Sequence, residues 1–176
     1  MVHFPEHLLD GYRVFMANRY ASESGRYKVL ADTGQKPKTM VIACCDSRAA
    51  PETIFDCGPG ELFVVRNVAN LVPPYKPDGE YHGTSAALEF AIQSLKVENI
   101  VVLGHGRCGG IAASLNMDHE PLSPGDFIGQ WMKLVQPAAE MIAANTLLTA
   151  SERQRAMERV SIRFSLQNLR SFPCVN

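Results

Sequence analysis

Short apolar runs rich in β-branched residues alternate along this chain with longer stretches in which apolar residues recur at helical spacing. The apolar runs predict three buried strands, at about Thr39–Cys44, Leu62–Arg66 and Asn99–Leu103. Helical spacing predicts a helix from His7 to roughly Leu30, ahead of the first strand. Because strands that alternate with helices are typical of parallel sheets, we expect an α/β fold with a central, mostly parallel β-sheet flanked by helices and an N-terminal helical arm.

Glycine and proline predict where helices are interrupted. The segment Tyr20–Gly25 is a candidate break in the first helix, and Asn67–Gly79, with three prolines, predicts an ordered loop. Pro137 lies inside a helical pattern that spans Gly125–Ala144. It should end or kink that helix, because proline cannot donate the backbone hydrogen bond of a helix interior. A last helix is predicted over Ser151–Leu169.

The pattern has no internal repeat and no low-complexity linker, so we expect a single domain over residues 1–176. Its predicted parts are the helical arm, residues 1–33, and an α/β core, residues 34–176. No strand can be placed in the segment that follows the last predicted helix. A parallel sheet of three strands is small for a core with two covered faces, and we therefore expect the C-terminal strand of the sheet to be missing from this chain.

Composition and charge narrow the class of protein. Hydrophobic residues make up 46% of the 176 positions and charged residues 20%, which is ordinary for a globular domain. The formal net charge of −1 favours neither nucleic acid nor an anionic membrane, and we expect neither as a partner. No apolar run approaches the roughly 20 residues of a membrane helix, and the N-terminus lacks the pattern of a signal peptide. We therefore expect a cytoplasmic protein.

Candidate ligands for a metal follow two of the predicted strands. Cys44 and Asp46 come at the end of the first strand, and His105 and Cys108 lie in a glycine-rich turn after the third. Side chains at the carboxyl ends of parallel strands meet in the crevice where α/β proteins bind ligands. Zinc prefers four ligands drawn from cysteine, histidine and carboxylate. In a cytoplasmic protein, cysteines in such a set indicate a metal site before a disulfide.

The same turn matches the dinucleotide-binding fingerprint by letter, as Gly104-x-Gly106-x-x-Gly109. That fingerprint also requires an acidic residue about 20 positions later, at the end of the next strand. Asp126 is near that distance, but its neighbours predict a turn that opens a helix. We therefore disfavour a dinucleotide site. The other cysteines, Cys45, Cys57 and Cys174, are interpreted as structural.

Arg48 lies two residues after Asp46, and in an extended segment the two side chains would share one side. They could form a bidentate pair, or an ordinary surface salt bridge. Two thiolates and a neutral imidazole would balance the charge of one zinc ion. An arginine that holds Asp46 would then leave the fourth position for water, whereas Asp46 as a ligand would close it.

These motifs together resemble the β-class carbonic anhydrases. Cys44-x-Asp46-x-Arg48 followed by His105-x-x-Cys108 carries the resemblance, which extends to the stretch Phe63–Pro73 and spans about residues 34–175. It implies reversible hydration of carbon dioxide to bicarbonate and a proton, by attack of zinc-bound hydroxide, with the Asp46–Arg48 pair orienting the nucleophile. It also implies a homodimer or tetramer.

The resemblance further implies a set of site residues. One Zn²⁺ per chain would be held by Cys44, His105 and Cys108, with Asp46 either paired to Arg48 or bound as the fourth ligand. The residues implied to line the substrate cleft are Gln35, Phe63, Val68, Phe90 and Gly109.

Two features and two alternatives qualify the resemblance. Members of the bicarbonate-inhibited subtype carry tryptophan where this chain has Val41, which favours the open, water-bound subtype. Relatives also continue beyond Val175 with a segment that supplies the next strand.

The first alternative is hydrolysis of carbonyl sulfide or carbon disulfide at the same site. The second is a non-catalytic module that binds zinc or senses bicarbonate, although Arg48 beside Asp46 argues against a permanently closed site.

Overall fold

A computed structural model describes residues 4–78, 82–116 and 120–175. The chain divides into two compact units, Met1–Lys36 and Pro37–Asn176. Gly79, the last residue of the predicted proline-rich loop, lies outside the described residues. Within the rest of that loop, Val68–Asn70 forms a single 3₁₀ turn. Among the described helices, none is both long enough and apolar enough to cross a membrane.

The first unit is helical from Glu6 to Thr33. Helix α1 (Glu6–Phe15) continues through a π-helical turn, Met16–Tyr20, into helix α2 (Ala21–Thr33). The expected break over residues 20–25 was wrong, since a glycine in a helix costs only about 1 kcal/mol. The irregularity takes the form of the π-helical turn, which keeps the backbone helical. The helix ends before Gly34, whose φ of 78° is readily adopted by glycine.

The second unit is built on a parallel sheet, which has three strands within the described residues. Strand β1 (Thr39–Cys44) is central and pairs with β2 (Leu62–Asn67) on one side and β3 (Asn99–Leu103) on the other. The register aligns the last residue of β1 with Asn67, and the residue before it, Ala43, with Leu103. The α/β fold with a parallel sheet, flanking helices and an N-terminal helix is thus confirmed.

The central strand is buried because neighbours cover it on both sides and both faces. Four consecutive residues of β1 are 0–1% exposed, namely Met40, Val41, Ile42 and Ala43, which explains why this strand is a continuous apolar run rather than an alternating one. Met40 and Ile42 belong to one core cluster, together with Leu88 and Phe172. The second core cluster contains the cysteine that ends β1. Its buried residues are Cys44, Ala49, Ala69, Leu71, Cys108, Ile111, Met132, Val135, Ala138, Ala139 and Met157.

The helices of the second unit follow the strands. Helices α3 (Pro51–Ile54) and α4 (Gly83–Glu89) precede β2 and β3 respectively, and α4 continues into a π-helical turn, Phe90–Ser94. Helices α5 (Gly109–Ser114), α6 (Phe127–Met132), α7 (Gln136–Ala143) and α8 (Ala150–Leu169) come after β3.

The interruption expected around Pro137 is confirmed, although it falls slightly earlier. A 3₁₀ turn, Lys133–Val135, separates α6 from α7, and Pro137 occupies the first turn of α7. A proline is tolerated there because the first backbone N–H groups of a helix have no partner within the helix. Asp126 precedes α6, in the turn that the sequence predicted.

The long helix α8 supports the site described below, because it packs against β3, α5 and α7. A capping box fixes its start. Thr149 Oγ1 accepts a hydrogen bond from the Glu152 N–H (3.3 Å), and Glu152 Oε2 accepts one from the Thr149 N–H (2.9 Å). Each bond satisfies a backbone donor that the helix itself leaves unpaired.

We expect Thr149→Ala to lower the free energy of unfolding by about 1 kcal/mol, the usual cost of replacing an N-cap threonine. Urea unfolding followed by circular dichroism measures the change. Thr53→Ala is the matched control, because Thr53 is exposed and lies within α3 rather than at its cap. Equal free energies of unfolding for the two variants would show that the cap does not stabilise α8.

The cap also makes stability depend on pH. Hydrogen bonds from Thr149, mainly from its side chain and to a smaller extent from its backbone, lower the pKa of Glu152. The ionised form is therefore favoured in the folded state, and its contribution is present above the ordinary glutamate pKa and lost as the pH falls through the lowered pKa of the folded state. We expect Glu152→Gln to be less stable than the parent at about pH 7, and the difference to be smaller at about pH 3. Urea unfolding at both pH values measures this, and a difference that does not shrink in acid contradicts it.

Candidate metal centre

The two loops that carry the candidate ligands lie at one edge of the sheet. Cys44 ends β1, and His105 and Cys108 follow β3, whose last residue is in register with Ala43. Because β1 and β3 are parallel neighbours, their carboxyl ends lie side by side. Strand β1 therefore fixes the position of Cys44, and the short turn between β3 and α5 fixes the positions of His105 and Cys108.

The structure brings Cys44, His105 and Cys108 together. One potential ligand atom from each of the three lies within 4.8 Å of the other two. Cys44 and Cys108 are only 4% and 2% exposed, and their Sγ atoms are 3.9 Å apart. Burial raises the pKa of Cys108, and the neighbouring Cys44 raises it further. Two thiols held this close in a buried position are ready to share one soft or borderline cation.

His105 completes the set with an unpaired nitrogen. Its Nδ1 lies 3.1 Å from the Gly106 carbonyl oxygen, which can only accept, so Nδ1 carries the proton in this contact. Its Nε2 is buried and, among the described residues, has no hydrogen-bond partner. A buried nitrogen lone pair without a donor is costly unless something binds it. Two thiols and this nitrogen fit the ligand preferences of zinc, and three protein ligands are the pattern of catalytic zinc sites.

Asp46 and Arg48 form a bidentate pair beside this cluster. Arg48 Nε donates to Asp46 Oδ1 and Nη2 donates to Oδ2, both at 2.9 Å. The segment is not the extended one that the sequence predicts: Asp46 caps a 3₁₀ turn, Ser47–Ala49, and also accepts from the Arg48 N–H at 3.0 Å. Hydrogen bonds from Arg48 hold the pKa of Asp46 well below its usual range. The carboxylate is therefore ionised, and its Oδ2 lies 3.8 Å from His105 Nε2.

Arg48 also joins the two ligand loops. The nitrogen that binds Asp46 Oδ2 donates a further hydrogen bond, of 3.2 Å, to the Arg107 carbonyl oxygen. One guanidinium thus contacts the loop that follows β1 and the turn that carries His105 and Cys108. The same carboxylate raises the pKa of Arg48, so the side chain stays charged. Movement of either loop would break at least one of these bonds.

Two further side chains hold the ligand loops, and the sequence analysis missed both. Arg66, in β2, donates from Nε to the Cys44 carbonyl oxygen (2.9 Å) and from Nη2 to the Asp46 carbonyl oxygen (2.7 Å). Glu158, in α8, accepts from the Cys108 N–H at 3.2 Å. A signal for Arg66 existed, because it is a charged residue that directly follows the apolar run of β2 and is still part of the strand. Glu158 gave none, since nothing local distinguishes it from the other charged residues of its helix.

Two of the residues predicted to line the substrate cleft lie at the cluster. Gly109 is the first residue of α5, directly after Cys108. Val68 is 37% exposed, and a methyl group at Gly110 would come within 2.7 Å of its Cγ1, so the valine packs closely on the start of α5. Trp131 Nε1 donates to the Val68 carbonyl oxygen at 2.8 Å and holds this residue in place.

The two aromatic residues predicted for the cleft lie away from the cluster in the structure. The rings of Phe63 and Phe90 have centroids 5.8 Å apart. Phe63 is in register with Met40, four residues before Cys44, which corresponds to roughly 13 Å along the strand. It also packs against the other core cluster. Gln35 belongs to the first unit and is exposed. A cleft role for these three residues stays a prediction.

The remaining cysteines do not join the candidate ligands. Cys45 is exposed, while Cys57 and Cys174 are half-buried. Cys174 packs against the core cluster of Met40 and Ile42, as a structural cysteine would. Cys45 follows Cys44 directly, and its backbone N–H donates to the Asn67 carbonyl oxygen. Cys45 thus supports the strand pair through its backbone and not through its thiol.

Comparison with known proteins relates this geometry to a family. The family model described as carbonic anhydrase matches residues 39–176. The protein named beta carbonic anhydrase 5, chloroplastic, from Arabidopsis thaliana is 41% identical over 167 residues, which are 93% of this chain and 54% of that protein. The chain therefore spans about half the length of this curated relative.

Solved structures agree with this relationship. The β-carbonic anhydrase CcaA superposes with a TM-score of 0.88 at 27% identity, covering 97% of this chain and 75% of that one. A structure of tetrameric β-carbonic anhydrases from Sordaria macrospora gives 0.79 at 28% identity, covering 97% and 82%. Coccomyxa β-carbonic anhydrase in complex with acetazolamide gives 0.82 at 28% identity, covering 99% and 75%. The match over most of the sequence and the shared fold show that the chain belongs to the β-carbonic anhydrase family.

Proposed function

We propose that this protein catalyses the reversible hydration of carbon dioxide to bicarbonate and a proton, with one zinc ion per chain. The observation that carries the proposal is the Cys44–His105–Cys108 cluster, with both cysteines buried, beside an ionised carboxylate that is already paired to an arginine. A site that only stabilises the fold would be expected to use all four ligand positions. Here the available carboxylate is engaged by Arg48, which supports an open fourth position.

Cys44, His105 and Cys108 would hold the metal. Zinc bound there would lower the pKa of a water molecule to about 7 and so would supply a nucleophile at neutral pH. The unpaired Nε2 of His105 supports its role as the nitrogen ligand. The Nδ1–H contact with the Gly106 carbonyl oxygen supports the tautomer that such a ligand needs.

Asp46 and Arg48 orient the reacting oxygen in this proposal. An ionised carboxylate only accepts hydrogen bonds, so Asp46 would accept one from the O–H of the reacting oxygen. A lone pair of that oxygen would then stay directed at the substrate. The 3.8 Å between Asp46 Oδ2 and His105 Nε2 supports a position close enough for this contact. Arg48 holds both carboxylate oxygens and thereby opposes their binding to the metal.

Carbon dioxide is small and apolar, and the surroundings of the cluster suit it. Val68 packs on the start of α5 beside Cys108, where it offers an apolar wall. The Gly109 backbone, with no side chain, leaves room for a small substrate next to that wall.

We further propose that the protein forms a homodimer or a tetramer. Phe63 and Phe90, which the family resemblance assigns to the substrate cleft, lie away from the cluster of their own chain, so in this proposal a second copy supplies these rings. No residue of α1 is buried within the chain, although Leu8 and Tyr12 are apolar and 51% and 60% exposed. Such a helix gains stability by packing on another copy.

We expect the purified protein to contain about one zinc per chain and to hydrate carbon dioxide in a stopped-flow assay. Cys108→Ala should lose both the metal and the activity, because two protein ligands do not retain zinc. Elemental analysis and the stopped-flow assay measure these outcomes.

Cys45→Ala is the matched control, because Cys45 is an exposed cysteine next to a proposed ligand. It should keep both zinc and activity. A Cys108→Ala protein that is folded and still holds one zinc would refute the proposed ligand set. A zinc-loaded parent that hydrolyses carbonyl sulfide but does not hydrate carbon dioxide would refute the proposed reaction.

We expect Arg48→Ala to keep its zinc but to hydrate carbon dioxide about 10- to 100-fold more slowly, the usual range when an outer partner of a metal site is lost. Without Arg48, the Asp46 carboxylate is free to become the fourth ligand. Stopped-flow rates and zinc content are measured together, with Arg159→Ala, an exposed arginine of α8, as the control. A parent-like rate for Arg48→Ala would contradict this role of the pair.

A further inference from the structure

We propose that Arg66 is a positioning residue, which fixes the backbone from Cys44 to Asp46 and thereby keeps the Asp46 carboxylate on Arg48. The proposal deepens the proposed function, and its consequence for the rate rests on that function. It concerns a side chain on the neighbouring strand that contacts no candidate ligand atom. It contacts the main chain of one candidate ligand and of the carboxylate residue beside the site.

The geometry of Arg66 is specific to this segment. Arg66 lies in β2 in register with Ala43, one residue before the end of β1. Its guanidinium reaches past that end and donates to the carbonyl oxygens on both sides of Cys45. Nε donates to the Cys44 carbonyl oxygen at 2.9 Å, and Nη2 donates to the Asp46 carbonyl oxygen at 2.7 Å.

These two carbonyl groups lie where the regular strand pairing stops. The backbone bond from the Cys45 N–H to the Asn67 carbonyl oxygen, 3.0 Å long, continues the pairing one residue beyond β1. The chain then enters the 3₁₀ turn Ser47–Ala49, which leaves the sheet. The side chain of Arg66 takes over the donor role there, and charged donors make stronger hydrogen bonds than neutral ones.

The consequence falls on Asp46, because this residue is held at two points by two arginines. Arg48 binds its side chain through Nε and Nη2, and Arg66 binds its carbonyl oxygen through Nη2. With the main chain fixed, the pair can separate only by rotation of one of its two side chains. When Arg66 is removed, the backbone of the whole segment can also move, and the carboxylate loses its alignment with Arg48.

Lysine cannot replace Arg66 in this role. The planar guanidinium presents Nε and Nη2 in a fixed fork, and both positions are used here. A lysine ammonium is a single centre on a flexible stem, so it can satisfy one of the two carbonyl oxygens but does not fix their spacing. A lysine variant therefore keeps the charge of Arg66 and tests the geometry separately.

Amide hydrogen exchange of the metal-free protein tests the positioning directly. The Arg48 N–H donates to Asp46 Oδ1, so its exchange rate reports whether the carboxylate stays in place. We expect this amide to exchange about tenfold faster in Arg66→Met than in the parent, with the β1 amide of Ala43 unchanged. Arg159→Met, on α8, is the control and should leave both amides at parent rates.

The second readout uses the protein loaded with Co²⁺ in place of zinc. We expect Arg66→Met to keep the thiolate-to-cobalt absorption but to shift the ligand-field bands, because Asp46 enters the fourth position more often. Added azide should change the parent spectrum and change the Arg66→Met spectrum far less. In the zinc form, kcat/KM should fall about 10- to 100-fold for Arg66→Met, and Arg66→Lys should restore only a small part of it.

A purely structural role for Arg66 predicts a different set of results. The melting temperature would fall while the Arg48 amide, the Co²⁺ spectrum and the azide response stayed at parent values, and that outcome overturns the proposal. Full recovery by Arg66→Lys also overturns it. If the parent holds metal but does not hydrate carbon dioxide, the proposed function fails, whereas the exchange rate of the Arg48 amide still decides the positioning role.

Discussion

The site depends on the parallel pairing of one buried strand with both of its neighbours. Because β1 lies between β2 and β3, its carboxyl end is adjacent to the carboxyl ends of both. Cys44 is therefore fixed next to the turn that carries His105 and Cys108. A slip of one residue in either pairing would turn the side chains of the slipped strand to the opposite face and separate the ligands.

Hydrogen bonds to the ends of these strands then set the electrostatics of the site. Arg48 binds the Asp46 carboxylate and the turn after β3, while Arg66 binds the main chain on which that carboxylate is carried. Positive charge close to Asp46 keeps it ionised and engaged. The buried thiols of Cys44 and Cys108 remain available to bind a cation, which in the proposed function is zinc. The strand register, the two arginines and the proposed metal therefore all determine the position of one short segment, from Cys44 to Arg48.

Much of this architecture could be predicted from local patterns. The three apolar runs gave three strands, with only the end of β2 moving by one residue, and the helix over residues 150–169 began within one residue of its prediction. Local patterns failed where competing terms were small. Gly25 did not break α2, because its cost is only about 1 kcal/mol against the packing and hydrogen bonds of a long helix. By contrast, the interruption expected around Pro137 was confirmed, a few residues earlier in the chain, in the turn Lys133–Val135.

The sequence by itself determined the candidate ligands, because cysteine and histidine at strand ends carry their chemistry wherever the strands pair. It also determined the Asp46–Arg48 pair, since the two residues are close in the chain. Only the tertiary structure decided that Arg66 and Glu158 hold the ligand loops, and that Phe63 lies far from the cluster. These contacts join residues 20 or more positions apart, or depend on strand register. Their energies arise only when separate elements pack, so no local pattern in the chain encodes them.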